Sequence, residues 1–439
     1  MATLQGNANM QPFDYHSAFI DCLPRAARCY FAWIEVCSGT LDVLHALLLS
    51  SVSRSIILFS ERHIARSRTA EFLENRVRAY DLASIPATRA RARALACVIA
   101  LISALLSPTV RSSSADPVGS RAAIASQRAT STRAAMQAAI ARIALTAGGE
   151  VGVSARHLES GLTLSLNNGE AFPMASTFKI AVAGTLLTQV DSGRLSLQQM
   201  VSVDPALVLS SEGIAEIFPY PGVSASVRNL LESMLTRSDN TATNVLTRLV
   251  GGPAAVTAWL RSIGVEGMRV DGDTNGIVGR FFDLPPSEES VDAQLKKLFA
   301  VNSTLATLSS DPNAKFDDDL RDTTTPDAMV MLLSKIEDRH VLSASSTDVL
   351  LGAMERCITG SKRLRGMLPP GTLVRDKTGT IGGTVNDVGI ITLPSGLGRI
   401  AIAVYIKKSA KPIAERERAI AEIARSVYDY MLIESAGPR

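Results

Sequence analysis

The stretch FPMASTFKI, from Phe172 to Ile180, places Lys179 three residues after Ser176 among apolar residues. On a helix, residues three apart share a face, so the serine hydroxyl and the lysine ammonium are expected to be neighbours. Burial at the edge of a core disfavours the charged form of a lysine and lowers its pKa. Because an uncharged lysine can accept the proton of an adjacent serine, the stretch predicts a nucleophile with its own base.

Two further short motifs follow Ser176 along the chain. The first is SDN, from Ser238 to Asn240, in a region of helical periodicity, and the second is KTG, from Lys377 to Gly379, just before a predicted strand. Each motif alone is weak, because a serine or lysine at such spacing is usually part of a solvated helix face. In this order and these contexts, the three motifs match the signature of penicillin-recognising serine enzymes.

Hydrophobic periodicity predicts the arrangement of elements around these motifs. A helical pattern begins near residue 128, and residues 150–169 have the pattern of two short strands joined by a turn. The middle of the chain is mostly helical, residues 384–394 and 398–408 alternate as strands do, and residues 412–433 form an amphipathic helical pattern. Strands near both ends with helices between them predict an α+β domain, with the terminal helices on one face of an antiparallel sheet.

The chain resembles class A β-lactamases, within the penicillin-recognising serine hydrolases. The segments FPMASTFK, SDNTATNVL, RDTTTPDAM and DKTGT carry the likeness, which extends over most of the chain after residue 128. The resemblance implies the two-lobed β-lactamase/transpeptidase fold, in which an antiparallel sheet is flanked by terminal helices and joined by an all-helical lobe. It also implies a serine hydrolase that acts on β-lactams or on D-alanyl peptides of the cell wall.

The resemblance implies four catalytic residues. Ser176 is the nucleophile that becomes acylated, and Lys179 takes or relays its proton. Ser238 passes a proton to the leaving nitrogen. The backbone N–H groups of Ser176 and Thr380 form the oxyanion hole, which binds the carbonyl oxygen as it gains charge.

It also implies four substrate-binding residues. Asn240 holds the amide side chain of the substrate, while Lys377 and Thr378 bind its carboxylate. Gly379, without a Cβ, lets the strand backbone approach the ligand closely.

The family's hydrolases also carry a glutamate between the SDN and KTG motifs that activates the deacylating water. No glutamate occupies that position here. If the loop opens at Asp271, the expected positions are those of Gly272 to Thr274; if Arg280 is the arginine that pairs with Asp322, two phenylalanines follow it. The loop is rebuilt by an insertion at about residues 279–316.

Three carboxylates in the rebuilt loop are candidates for the missing base: Asp283, Glu288 and Glu289. For each of them a solvated surface carboxylate is the competing interpretation. Without a positioned base the acyl-enzyme forms and persists. The sequence therefore leaves open an alternative, a DD-peptidase, penicillin-binding protein or sensor that deacylates slowly.

Composition limits the other possibilities. A net charge of +3, with no basic run interleaved with aromatic residues, argues against nucleic-acid binding. The five cysteines lack zinc-ligand spacing, and neither His157 nor His340 has a second histidine near it in sequence. We therefore expect no metal and no cofactor, and a monomer. A Ser-His-Asp triad using one of these histidines stays open, although surface histidines are the simpler interpretation.

The first part of the chain has the layout of a targeting sequence. Residues 87–115 combine an arginine cluster, an apolar run from Ala94 to Leu106 and small residues at the cleavage positions, as a secretory signal peptide does. This predicts secreted or periplasmic localisation. Residues 1–86 are expected to be an upstream extension from a start assigned too early, or disordered, and residues 116–127 a linker to the domain at 128–439. The alternative is a genuine N-terminal region followed by a short membrane anchor.

Overall fold

The computed structural model of the chain describes residues 117–210, 213–304 and 310–436, with side chains from residue 131 onward. Within these residues the strands are β1 (Glu150–His157), β2 (Thr163–Leu166), β3 (Phe172–Pro173), β4 (Met200–Ser202), β5 (Ser224–Ser226), β6 (Thr323–Thr324), β7 (Val374–Ile381), β8 (Thr384–Thr392) and β9 (Arg399–Lys407). The α-helices are α1 (Pro117–Thr146), α2 (Lys179–Asp191), α3 (Ile214–Ile217), α4 (Val227–Thr236), α5 (Asn240–Leu249), α6 (Pro253–Ser262), α7 (Thr274–Phe281), α8 (Val291–Val301), α9 (Ala314–Asp317), α10 (Pro326–Glu337), α11 (Ala344–Glu355) and α12 (Ile413–Ala436). Short 3₁₀ turns occupy Ala175–Phe178, Pro205–Leu207 and Pro394–Gly396.

A five-stranded antiparallel sheet forms the centre of the fold, in the order β2-β1-β9-β8-β7. Side chains alternate between its two faces. On β9, Val404 and Ile406 point to one face, and Ala403 and Tyr405 to the other. Both faces are apolar because both are covered, and this explains why β8 and β9 are buried along almost their whole length.

Helices α1 and α12 cover the outer face of the sheet. Ile140 of α1 and Ile420 and Val427 of α12 are fully buried against the even-numbered residues of β9. Complete burial of one such side chain contributes about 1.5–3 kcal/mol. Helix α12 begins one residue after Pro412, which confirms the predicted last element.

One sequence-based boundary is wrong. The linker predicted at residues 116–127 is helical from Pro117 onward, as the first turns of α1. The segment contains several alanines, and a proline at the first helical position favours a helix start. The predicted extension at 1–86 and the signal peptide at 87–115 lie outside the described residues.

The inner face of the sheet packs on the helical lobe. One apolar cluster buries Tyr405 of β9 together with residues of the helical lobe: Phe178 of the 3₁₀ turn before α2, Leu186 of α2, Leu230 of α4 and Leu246 of α5. The predicted α+β architecture with two lobes is therefore confirmed. In the described part of the chain, no helix combines the length and hydropathy that crossing a membrane requires.

Two local predictions are corrected. Ser176 lies in the 3₁₀ turn Ala175–Phe178, and the α-helix itself begins at Lys179. The KTG motif lies within strand β7 rather than before a strand. Both shifts matter for the site, because a tight turn and a strand fix backbone N–H groups more firmly than a loop does.

The inserted segment at 279–316 packs on the helical lobe through α8. Within the insertion, the ring of Phe299 contacts that of Phe282 edge-on, with centroids 5.3 Å apart, and Phe282 packs against the apolar cluster of the helical lobe. Asp292 of α8 accepts a hydrogen bond from the backbone N–H of Ser210 at 2.8 Å, and its pKa is lowered by this contact and by Lys296 against the effect of burial. The insertion thus stabilises the loop that precedes α3.

Candidate active site

The 3₁₀ turn Ala175–Phe178 contains the predicted nucleophile Ser176 and is called the nucleophile turn below. Hydrogen bonds from several segments hold it in place. Ser176 follows Ala175, whose φ of +45° is unusual for a residue with a side chain. The carbonyl oxygen of Met174 accepts hydrogen bonds from Thr177 N at 3.1 Å, Thr177 Oγ1 at 2.9 Å and Asn386 Nδ2 at 3.1 Å. These contacts hold the strained turn and fix the backbone N–H of Ser176.

Lys179 is completely buried directly behind the nucleophile turn. Its Nζ donates hydrogen bonds to Ser238 O at 2.6 Å, Ser238 Oγ at 3.2 Å and Asn240 Oδ1 at 2.9 Å. Burial lowers its pKa well below the usual range, and the nearby charge of Lys377 lowers it further. This setting favours the uncharged amine, the form that can accept a proton.

The SDN motif forms the turn between α4 and α5. Ser238 has a φ of +60°, and Asp239 caps α5 by accepting a hydrogen bond from Ala242 N at 3.0 Å. The other carboxylate oxygen of Asp239 accepts from Ser233 Oγ at 2.7 Å and Ile214 N at 2.9 Å. Asp239 therefore fixes the turn that presents Ser238 and leaves the serine hydroxyl free to face the lysines.

Strand β7 forms the opposite wall of the site. Lys377 is fully buried, and its Nζ donates to Ser238 Oγ at 3.0 Å and to Thr378 O at 2.9 Å. A Cβ at Gly379 would lie 2.6 Å from Met174 O and 3.2 Å from Ser176 N. Only glycine allows β7 to pass this close to the nucleophile turn, beside the N–H of Ser176.

Two residues that the sequence did not single out complete the wall. Arg363 is buried and donates to Gly379 O at 3.2 Å, Asn386 O at 2.9 Å and Thr380 Oγ1 at 2.8 Å. Asn386 on β8 donates to the backbone of the nucleophile turn. No local pattern marks either residue, because every partner lies on a distant segment; the arginine-rich run after Gly360 was the available hint.

The geometry therefore joins all three sequence motifs in one cleft, and comparisons with known proteins give the same result. The sequence profile of the family described as "Beta-lactamase enzyme family" matches residues 135–431. This match covers well over half of the 439 residues.

The chain belongs to the beta-lactamase enzyme family.

Individual relatives carry the same name. The chain is 33% identical over 277 residues to the extended-spectrum beta-lactamase PER-1 of Pseudomonas aeruginosa, covering 61% of this chain and 78% of that protein. It is 32% identical over 319 residues to the beta-lactamase L2 of Stenotrophomonas maltophilia, covering 72% and 93%. The solved structure of the TLA-3 extended-spectrum beta-lactamase superimposes with a TM-score of 0.56 at 28% identity, covering 68% of this chain and 98% of that one.

This beta-lactamase departs from the sequence pattern of its family where the deacylating glutamate is expected. Asp271 opens the loop beside Asp322, since the backbone N–H of Asp322 donates to Asp271 Oδ2 at 3.0 Å. Arg280 also forms an ion pair with Asp322. Asp271, Arg280 and Asp322 therefore meet where the loop begins and ends, which we call the loop neck, and both alternatives from the sequence are partly right. The two coexist because residues 274–281 are wound into helix α7, which brings Arg280 back to the neck.

Helix α7 lies where the sequence register from Asp271 places the missing base. Its second residue, Asn275, donates its backbone N–H to Asn244 Oδ1 on α5 at 3.2 Å. Thr274 is buried, with its hydroxyl enclosed and unpaired. The three expected positions in this register are Gly272, Asp273 and Thr274, and none of them is a glutamate.

The three candidate bases lie at the surface. Asp283 is 77% exposed and pairs with Lys315 at 2.6 Å, while Glu289 is 46% exposed and pairs with Lys297. Glu288 is exposed as well. In this conformation none of them is directed into the site by a contact, so the identity of a deacylating base stays open.

Neither of the two histidines considered for a triad contacts the residues of the three motifs. His157, expected at the surface, is buried: its Nε2 donates to Leu397 O at 2.8 Å and its Nδ1 accepts from Ser160 N at 3.1 Å. His340 is exposed. Cys357 is a buried free cysteine. Among the described residues, no group of three or more histidine, cysteine, aspartate or glutamate side chains is placed to hold a metal ion.

Proposed function

We propose that this protein is a serine β-lactamase that opens the β-lactam amide bond through an acyl-enzyme on Ser176. One observation carries the proposal. Ser238 Oγ lies within hydrogen-bond distance of both buried lysines, Lys179 at 3.2 Å and Lys377 at 3.0 Å, directly behind the nucleophile turn. Such a cluster provides a nucleophile, a base and a proton donor for the leaving nitrogen.

The first half of the reaction follows from these groups. Ser176 Oγ attacks the carbonyl carbon of the lactam while Lys179 Nζ takes its proton. The C–N bond of the ring breaks, Ser238 Oγ gives its proton to the departing nitrogen, and Ser238 regains a proton from Lys179. The backbone N–H groups of Ser176 and Thr380 stabilise the oxyanion.

Substrate binding uses the remaining residues. Lys377 and Thr378 attract the carboxylate of the β-lactam, with Arg363 adding positive charge behind Thr380. Asn240 donates its side-chain amide to the acyl side chain of the substrate. Nucleophile, base and anion-binding groups are all side chains or backbone of this chain, so we propose that the reaction needs no metal ion or cofactor and that the protein acts as a monomer.

A second candidate function shares the first half-reaction and deacylates slowly. It is favoured by the exposed positions of Asp283, Glu288 and Glu289 and by the lack of a glutamate at positions 272–274. In this case the protein behaves as a penicillin-binding protein, and D-alanyl peptides are its alternative substrates. Loss of a positioned general base typically slows a step by about 10²–10⁴-fold.

Intact mass spectrometry over time distinguishes the two functions. The fragment from Gly119 to Arg439 is mixed with benzylpenicillin, with the Ser176→Ala variant as control. An adduct that forms and decays as hydrolysed product accumulates supports the β-lactamase. A lasting adduct supports the slow alternative, and an adduct equally present in Ser176→Ala, or none with any β-lactam, contradicts both.

We further propose that residues 87–115 direct export to the periplasm or outside the cell. The support is their composition, with arginines before a short apolar run and small residues after it. N-terminal sequencing of the exported protein tests this proposal. A mature start shortly after residue 115 is expected, whereas a start before Ala87 argues against it.

The rate of acylation is expected to fall as the pH rises through about 8. Burial lowers the pKa of Lys377 to about 8. The protonated form attracts the substrate carboxylate, so its loss on the alkaline side weakens binding. Stopped-flow measurement of acylation by benzylpenicillin from pH 6 to 10 checks this, with Lys377→Arg as the matched variant. Because arginine stays charged over this range, the fall in acylation rate above pH 8 is expected to disappear in Lys377→Arg. If the same fall remains in this variant, Lys377 is not the group that causes it.

A further inference from the structure

The turn that follows α11 is built to lie against the KTG strand. The backbone N–H of Ile358 donates to Thr236 O at 3.0 Å, which ties the turn to the end of α4. Gly360 has a φ of +66°, and a Cβ there would lie 2.4 Å from the methyl carbon of Thr378. A side chain at this position would push the turn away from Thr378.

Three side chains form a hydrogen-bonded chain across this contact. Cys357 Sγ lies 3.2 Å from Thr359 Oγ1, and Thr359 Oγ1 lies 2.6 Å from Thr378 Oγ1. Cys357 and Thr378 are buried, at 8% and 5% exposed, and Thr359 is half-buried. The chain ends at the hydroxyl that faces the carboxylate-binding side of the cleft.

The hydrogen bond between Thr359 and Thr378 can run in either of two directions. Each hydroxyl has one hydrogen to donate. If Thr378 donates to Thr359, its lone pairs face the site and oppose an anion. If Thr359 donates to Thr378, the hydrogen of Thr378 is free for the substrate, and Thr359 can accept from the thiol of Cys357.

We propose that Thr359 is a positioning residue that orients the hydroxyl of Thr378 toward the carboxylate of the substrate. The inference rests on the proposed function, since it requires a carboxylate-bearing β-lactam at Thr378. The one hydrogen of the Cys357 thiol can go to Thr359 Oγ1 at 3.2 Å or to Thr359 O at 3.8 Å, and donation to the hydroxyl, the shorter contact, supports the same direction. Burial raises the pKa of the thiol, and the nearby charge of Asp376 raises it further, which keeps the S–H group protonated.

The test compares a substrate with and without its carboxylate. Second-order rate constants for acylation of Ser176 are measured by intact mass, with benzylpenicillin and with its methyl ester, in wild type and Thr359→Val. The constant for benzylpenicillin is expected to fall about tenfold, at the low end of what a hydrogen bond to a charged group contributes. The constant for the ester is expected to change less than twofold.

Conservative and matched variants complete the design. Thr359→Ser keeps the hydroxyl and is expected to restore the preference for the free carboxylate. Thr347→Val makes the same change on α11 at a buried hydroxyl without a hydrogen-bond partner, and neither constant is expected to move. Thr359→Ala gives the same readout if valine disturbs the turn.

The outcomes separate the inference from the function. An active wild type with an equal loss on both substrates in Thr359→Val, or with no loss on either, overturns the positioning role and leaves the proposed function standing. A wild type that is acylated by neither substrate overturns the proposed function, and the inference with it. A selective loss with rescue by serine supports both.

Discussion

Replacing Lys179 by methionine is expected to slow acylation of Ser176 by about 10³-fold without unfolding the protein. In the proposed mechanism this amine takes the proton of Ser176, and it donates hydrogen bonds to Ser238 and Asn240. Methionine fills a similar volume without a base. The rate of adduct formation with benzylpenicillin, followed by intact mass, measures the effect.

Stability is not expected to fall with activity. Lys179 is completely buried, and its charge is desolvated, which is why its pKa is lowered. Removing a buried charge with an apolar residue of similar size is often neutral or stabilising. Thermal unfolding of Lys179→Met is therefore expected to show a free energy of unfolding no more than about 1 kcal/mol below wild type.

Lys335→Met provides the matched control, because this lysine on α10 stays partly exposed. Neither its acylation rate nor its stability is expected to move appreciably. An acylation rate within tenfold of wild type in Lys179→Met would remove Lys179 from the role of base.

Replacing Arg280 by methionine is expected to lower the free energy of unfolding by about 3 kcal/mol. The partner carboxylate of Asp322 is only 3% exposed and accepts hydrogen bonds from Asp271 N at 2.7 Å and Gly272 N at 3.0 Å. Burial raises its pKa despite these contacts and despite Arg280. Without the arginine, a buried charge is left without its counter-ion. Urea denaturation at pH 7 measures the loss.

A double-mutant cycle tests the cause. Asp322→Asn keeps the size and the acceptor oxygen but removes the charge, so the pair Arg280→Met with Asp322→Asn is expected to recover much of the loss. The loss in Arg280→Met alone is also expected to shrink at acid pH. Because the pKa of Asp322 is raised in the folded state, protonation favours that state as the pH falls. If the losses in the free energy of unfolding of Arg280→Met and Asp322→Asn simply add in the double variant, and do not depend on pH, this account is contradicted.

The neck matters beyond stability because it touches the nucleophile turn. The carbonyl oxygen of Asp322 accepts a hydrogen bond from Met174 N at 3.0 Å, two residues before Ser176. A change in the position of Asp322 is therefore expected to reach Ser176 through Met174. The acylation rate of Arg280→Met, measured beside its stability, reports whether that connection affects catalysis.

The sequence by itself determined the elements and the family. Periodicity is a local property, so the strands β8 and β9 and the final helix from Pro412 could be predicted from the alternation of their own residues. The three motifs have a fixed order, and this was enough for the family. Local errors, such as the start of α1 at Pro117, arose where helix-forming composition and linker composition are alike.

Only the tertiary structure decided which groups meet. Lys179 and Ser238 are 59 residues apart, Lys377 and Ser238 are 139 apart, and Asn386 reaches the nucleophile turn across more than 200 residues. The same is true of Arg280, which returns to the loop neck because α7 is helical, and of Asp283, which faces solvent. Hydrogen bonds and burial between distant segments set these contacts and the pKa values that follow from them, and no local pattern of residues encodes either.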